Sequence, residues 1–244
     1  MLSLLVCLPA FADRGNRKQG ERPQAVFYGF YVDLDVLDPI IHIFNRDRMG
    51  LDASIQADLF HRLYPSFTIG YHHFDASGKY NYPIPAENCH YEVNGLYYKV
   101  GVAANVWRKN FRRQLNPIAY VGANFGWSPR FSSDLSGYPV DNQFWSGAGE
   151  RQTFSLKYDK NRARWMEILV GMKAPVTKKF CLGGEVMFKP FLSVDKVEQD
   201  GYSVQHSYAP GYGSKKNGKW SFRYTLSYYF SFFKGGASDA KEIY

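Results

Sequence analysis

Residues 219–233 read Lys-Trp-Ser-Phe-Arg-Tyr-Thr-Leu-Ser-Tyr-Tyr-Phe-Ser-Phe-Phe. Taken in steps of two, Trp220, Phe222, Tyr224, Leu226, Tyr228, Phe230 and Phe232 form one row, and Ser221, Arg223, Thr225, Ser227, Tyr229 and Ser231 form the other. A period of two is a β-strand, and here its faces differ sharply. A soluble sandwich needs a second sheet to cover so bulky an apolar row. A membrane barrel needs none, because lipid covers it. The row is aromatic at both ends with Leu226 near its middle, the order that two aromatic girdles produce.

The same two-faced alternation recurs along the 244-residue chain. It is expected over residues 25–37, 49–61, 67–74, 95–107, 118–127, 164–173 and 180–192, which with the last stretch makes eight strands. The connections alternate between short and long, the longest being 75–94, 128–163 and 194–218. Asp38-Pro39 is expected to break strand one, with Ile40 to Phe44 as one helical turn beyond it. A tight turn is expected at Arg62 to Ser66. These features predict an all-β, eight-stranded, antiparallel up-and-down transmembrane β-barrel spanning residues 25–233, with long extracellular loops and short periplasmic turns. No run of about 18 apolar residues exists, so no spanning helix is expected.

The first twelve residues, ending in Ala10-Phe11-Ala12, read as a signal peptide with a truncated charged region. Residues 13–24 are polar and read as a flexible leader, and 234–244 as a periplasmic tail. Cys89 and Cys181 are placed at opposite ends of the barrel, which argues against a disulfide. The net charge of +8 is spread over turns and loops, so it reads as a solvated basic surface and not as a nucleic-acid interface.

Several stretches resemble an uncharacterised family of small outer-membrane barrels from Bacteroidota. They are Y-G-F-Y-V-D-L-D (28–35), D-P-I-I-H-I-F-N-R-D-R-M-G-L-D-A (38–53), W-M-E-I-L-V-G-M-K-A (165–174) and F-R-Y-T-L-S-Y-Y-F (222–230). The last also resembles the aromatic terminal-strand signal of bacterial outer-membrane barrels, with a short tail added. The resemblance implies an architecture similar to OmpA- and OmpX-type barrels, in the outer membrane of a Gram-negative bacterium, with no known activity.

Each inward row carries charges: Asp33, Asp35, Asp52, Asp58, Lys99, Glu167, Lys173, Glu185, Lys189 and Arg223. Eight strands enclose room only for their own side chains, so these residues are expected to form an ion-pair network filling the lumen. Asp33 or Asp35 is the expected partner of Arg223, because the first and last strands must adjoin. His72, His73 and Asp75 fall where strand three meets a loop and read as a polar rim; neighbouring histidines point to opposite faces and do not share a metal ion. No Gly-rich phosphate loop, Cys-x-x-Cys pair or nucleophile elbow is present, so no catalytic residue, metal or cofactor is assigned.

The loops carry Tyr80, Tyr82, Tyr138, Phe144, Trp145, Tyr202, Tyr208 and Tyr212. Ile40, Ile41 and Phe44, with Tyr138, Phe144 and Trp145, are the candidate partner contacts, since exposed aromatics amid Gly and Pro suit an interface. Besides outer-membrane lipid, the expected partner is a surface lipoprotein or a larger barrel complex of an assembly or secretion system. The functional expectation is a non-enzymatic structural or partner-binding component. The alternatives are a rim enzyme using Ser132, Ser133, Asp134 and His206, and a narrow channel.

Overall fold

The computed structural model describes residues 27–44, 48–75, 86–107, 117–139, 154–194, 196–199, 202–205, 208–214 and 219–232. Its long strands are β1 (Phe27–Asp35), β2 (Arg48–Leu59), β3 (Leu63–Asp75), β4 (Ala86–Asn105), β5 (Ile118–Pro139), β6 (Phe154–Pro175) and β7 (Phe180–Lys189). Shorter elements follow: β8 (Phe191–Val194), β9 (Lys196–Gln199), β10 (Tyr202–Gln205), β11 (Tyr208–Ala209) and β12 (Gly213–Ser214). The chain returns to the wall in β13 (Lys219–Ser231), and one helix, α1 (Leu37–Phe44), joins β1 to β2.

Each of the strands β1 to β7 pairs antiparallel with its sequence neighbours, and β13 pairs with both β7 and β1. Eight strands thus close into a ring. The closing register sets Asp33 opposite Ser227 and Leu34 opposite Leu226, so the first and last strands keep their charged or polar rows on the same side. β8 continues the β7 edge beyond Pro190, pairing with β6 at Ala163–Trp165. A Pro can leave the ladder there because it has no N–H to contribute.

Alternation correctly separates the two faces of the wall. Asp33, Asp52, Lys99, Glu167, Lys173, Glu185 and Arg223 are buried, whereas Leu51, Ile55, Val102, Ile168, Val170, Leu182 and Phe222 are exposed. Several expected boundaries need correction. The 128–163 connection contains the upper halves of β5 and β6, and the 75–94 connection contains the first nine residues of β4, Ala86 to Asn94. The turn lies at Phe60 and His61, not Arg62 to Ser66. Both have positive φ (57° and 53°), and Arg62 N donates to Leu59 O at 3.0 Å. Two left-handed residues make the hairpin turn that matches strand twist. No glycine marks it in the sequence; Asp58 compensates by accepting the His61 N–H at 3.0 Å, and Tyr28 stacks on the His61 ring.

The first strand ends at Asp35, just before Asp38-Pro39, and the helix expected beyond it is longer than one turn and takes in Asp38-Pro39 itself. That pair lies in the first turn of α1, where a missing N–H is harmless. Asp35 Oδ1 accepts the Leu37 N–H at 2.8 Å and starts the helix.

Inside the ring a tyrosine floor of Tyr31, Tyr64, Tyr120 and Tyr229 closes the short-turn end. At the other end Tyr91, Val93, Tyr97, Phe131, Leu135 and Trp165 of the taller β4–β6 wall pack with Tyr208 and Tyr212. Those two tyrosines belong to the β11–β12 hairpin, whose described residues from Tyr208 to Gly213 are all buried. The segment read as a loop therefore folds into the mouth of the ring as a plug. Its turn needs Gly211 and Gly213, at φ 75° and 90°.

Glycines on the inner face let long side chains cross a strand. Tyr120, Gly171 and Glu185 lie in register on β5, β6 and β7, and Tyr120 passes over Gly171 to donate to Glu185 at 2.7 Å. A Cβ on Gly171 would sit 2.7 Å from the Tyr120 ring. Gly171→Ala should therefore displace the ring and lower stability by about 1–3 kcal/mol, read as a shift in the urea unfolding midpoint. An unchanged midpoint would contradict the crossing.

Candidate functional site

The charged interior divides into four levels. Near the floor, Lys173 Nζ on β6 reaches across the lumen to both oxygens of Asp33 (2.9 and 2.8 Å) and to Gln56 Oε1 (2.7 Å). It also lies 4.8 Å from the centre of the Tyr31 ring. All three ammonium protons thus have an acceptor in a site that is 1% exposed. Asp58 accepts from the His61 backbone and ring at the turn and from Tyr229 at 3.3 Å.

At mid-height Arg223 lies among Asp35 (3.7 Å), Glu185 (3.5 Å) and Ser54, whose hydroxyl accepts at 3.2 Å. Of its two expected partners, Arg223 meets Asp35, while Asp33 is taken by Lys173. The difference is one of reach: Asp33 and Asp35 share a face about 7 Å apart along β1, and Lys173 enters lower. Above this level Glu167 is fully buried and receives Trp165 Nε1 at 3.0 Å and Asn124 Nδ2 at 3.1 Å, with Lys99 Nζ at 3.1 Å and Lys189 Nζ at 3.5 Å. Lys99 is also 4.0 Å from Asp52, and the Tyr97 hydroxyl donates to Asp52 across Gly70. All ten residues expected to carry the inner network therefore line one lumen. Sequence reasoning did not single out Ser54, Gln56, Tyr97, Tyr120, Asn124 and Trp165 as their neutral partners, although each lies on an inward row.

The fourth level is the mouth. Asp38 of α1 pairs with Arg48 of β2 at 2.7 Å, and Arg48 Nε lies 3.1 Å from His72 Nε2. His72 is 3% exposed, so it is not the solvated rim residue expected. Gly211 N–H of the plug donates to His72 Nδ1 at 3.2 Å, and the Gly211 carbonyl accepts from Lys189 at 2.9 Å. Tyr208 stacks on Phe74 and its hydroxyl meets the His72 ring, while the Tyr212 hydroxyl donates to the Lys189 carbonyl at 3.2 Å. Beneath the mouth a cavity of about 230 Å³ is lined by Asp35, Asp52, Lys99, Lys189, Lys219 and Arg223, among others. The Ala209-Pro-Gly-Tyr-Gly213 run is the sequence signal for this plug, since Pro-Gly followed by a second glycine marks a tight hairpin.

The other candidates are scattered. Ser132 and Ser133 point to opposite faces of β5: Ser132 Oγ donates to Asn94, and the buried Ser133 Oγ accepts from Asn161. Asp134 is paired in register with Lys157, and His206 lies outside the described residues. Among the described residues no three His, Cys, Asp or Glu side chains are placed to hold a metal ion. Cys181 is buried with a free thiol. Ile40 is half exposed on α1; Ile41 and Phe44 are helical; Tyr138 lies in β5, not in a loop; Phe144 and Trp145 lie outside the described residues.

A family model described as a domain of unknown function, DUF6048, matches residues 1–235. The chain belongs to the DUF6048 family. No curated protein matches it. The DUF6048 match takes in every strand described above, so the ring and its charged interior lie within one family unit.

The strength of that interior is open to measurement. Lys173→Met should leave Asp33 buried without its cation and destabilise the DUF6048 fold by about 3–5 kcal/mol, while Lys173→Met combined with Asp33→Leu should recover much of the loss. Urea titration of the two single variants and the double variant measures the coupling, and additive losses would show that the pair is not coupled.

Proposed function

We propose that the chain is an outer-membrane β-barrel protein of a Gram-negative bacterium, a non-enzymatic structural or partner-binding component exported by its N-terminal signal peptide. One observation carries this reading: the fold is inside-out. The ring turns its charges inward and its apolar rows outward. Leu51, Ile55, Ile168, Val170 and Leu182 are each 53–58% exposed on its outer surface. Soluble monomers rarely expose an apolar surface that encircles the molecule. A hydrocarbon layer about 25 Å tall needs such a band, with aromatics at both edges.

Aromatics supply both edges. Phe27–Phe232, Phe30–Phe230 and Phe180–Tyr228 ring contacts stand at the short-turn end. Phe188–Trp220 and Tyr98–Trp127 contacts stand at the other. Among the described residues no helix is long and apolar enough to cross a membrane, so crossing falls to the strands. The filled lumen and the plug favour an anchoring or contact role over conduction. Contact with a surface lipoprotein or larger barrel then falls to the tall β4–β6 end, with Tyr138 near its top and Phe144 and Trp145 in the segment that joins β5 to β6.

The protein should fractionate with outer membranes and run faster on gels when unheated. A soluble periplasmic protein without heat-dependent mobility would end the membrane reading. Replacing residues 140–153 with a Gly-Ser linker should preserve that mobility and release a co-purifying partner. Full retention of every co-purified protein would end the contact reading.

A further inference from the structure

The outer surface changes character abruptly along β6. Met172, Val170, Ile168 and Met166 face outward in succession, all 41–58% exposed. The next outward positions are Arg164, Arg162 and Lys160, all exposed. Arg164 lies in register with Trp127 of the aromatic edge, so the change falls at the boundary of the band. On β5 a register shift between Ser128 and Phe131 places the exposed Pro129 and Arg130 opposite Arg162. A second shift on β6, between Phe131 and Ser133 of the partner, leaves both Asp159 and Lys160 exposed. Such bulges re-aim side chains at a sheet surface.

We propose that Arg130, Lys160, Arg162 and Arg164 form a binding site for the phosphate-bearing headgroups of the lipid leaflet that surrounds this end of the apolar band. The site rests on the membrane reading. Three observations support it. Like charges facing each other across a strand pair destabilise it, and Arg130 faces Arg162 with no carboxylate partner among the described residues. Among the described residues Asp159 is the one acidic side chain exposed in the cluster, so these four cations and one carboxylate carry a net charge of +3. Outward side chains on a strand recur about every 7 Å, so the row climbs from Trp127 through the depth that headgroups occupy. Arginine's planar fork matches phosphate geometry, and two or three arginines in a row hold one headgroup by paired hydrogen bonds.

The test uses the full chain reconstituted in phosphatidylcholine vesicles. Quenching of tryptophan fluorescence by brominated phosphatidic acid is compared with quenching by brominated phosphatidylcholine. The parent should prefer phosphatidic acid, and the quadruple variant R130Q/K160Q/R162Q/R164Q should lose about tenfold or more of that preference. Lys178→Gln with Lys179→Gln, at the opposite end of the ring, should keep it. The single variants R162Q and R164Q are read in the same assay and should each reduce the preference. An undiminished preference in the quadruple and single variants overturns the site. Competition by inorganic phosphate as effective as that by the lipid overturns the lipid source, and displacement by polyglutamate at lower concentration than by the lipid points instead to an acidic protein. Failure of the parent itself to insert, scored by heat-dependent mobility, counts against the membrane reading and is distinct from these outcomes.

Discussion

Closing a ring of eight strands around charges takes them out of bulk solvent, so every buried carboxylate must find its counter-charge or donors within one lumen. Glu167 shows how strict the demand is. It is wholly buried, and an indole, an amide and two ammonium groups converge on it from β4, β5, β6 and β7 or their neighbours. Four strands must hold correct register for those donors to arrive together. A slip of one residue in any of them would carry its charges to the outer face. The network thus specifies register as much as it stabilises the wall.

The inner glycines belong to the same constraint. Tyr97 crosses Gly70 to Asp52, and Tyr120 crosses Gly171 to Glu185. Any side chain at either glycine would occupy the path of the ring. A tyrosine on one strand therefore satisfies a carboxylate two strands away, which ties the wall together around its circumference as well as through direct neighbour pairing. The hydroxyl is the needed tip and the ring fills the narrow lumen, so one residue type meets both demands.

Wall and interior were largely legible in the sequence because period-two alternation assigns a face to each residue without knowledge of the fold. Legibility failed where the outward row ceases to be apolar. Above Trp127 and Met166 the outer face of β5 and β6 carries Arg130, Arg162, Arg164 and Lys160, so the contrast between rows disappears and residues 128–139 and 154–163 read as loop. The upper half of β4 fails for the same reason, with His90, Glu92 and Asn94 on its outer row. The Phe60-His61 turn lacked glycine, and its conformation depends on Asp58, a side chain read only as a lumen charge. Asp38 and Arg48 appeared as a breaker and a charged connection because their pairing spans a helix whose proline hid it. Burial of His72 depends on the plug, which arrives from the far end of the chain.

The plug also shows why the lumen and the mouth act as one structure. Gly211 alone spends its N–H on His72 and its carbonyl on Lys189, and Lys189 in turn lies beside Glu167. Withdrawing the hairpin would remove an acceptor from a buried ammonium group and uncover Trp165 and Tyr97, which pack against Tyr212 and the turn. On the other side His72 meets Arg48, and Arg48 meets Asp38 on α1. A chain of polar contacts therefore runs from the helix on one side of the mouth, through the plug, to the centre of the ion network. The Ile40 and Ile43 faces of that helix remain exposed. The helix, the plug and the ion network are thus held by one connected set of contacts.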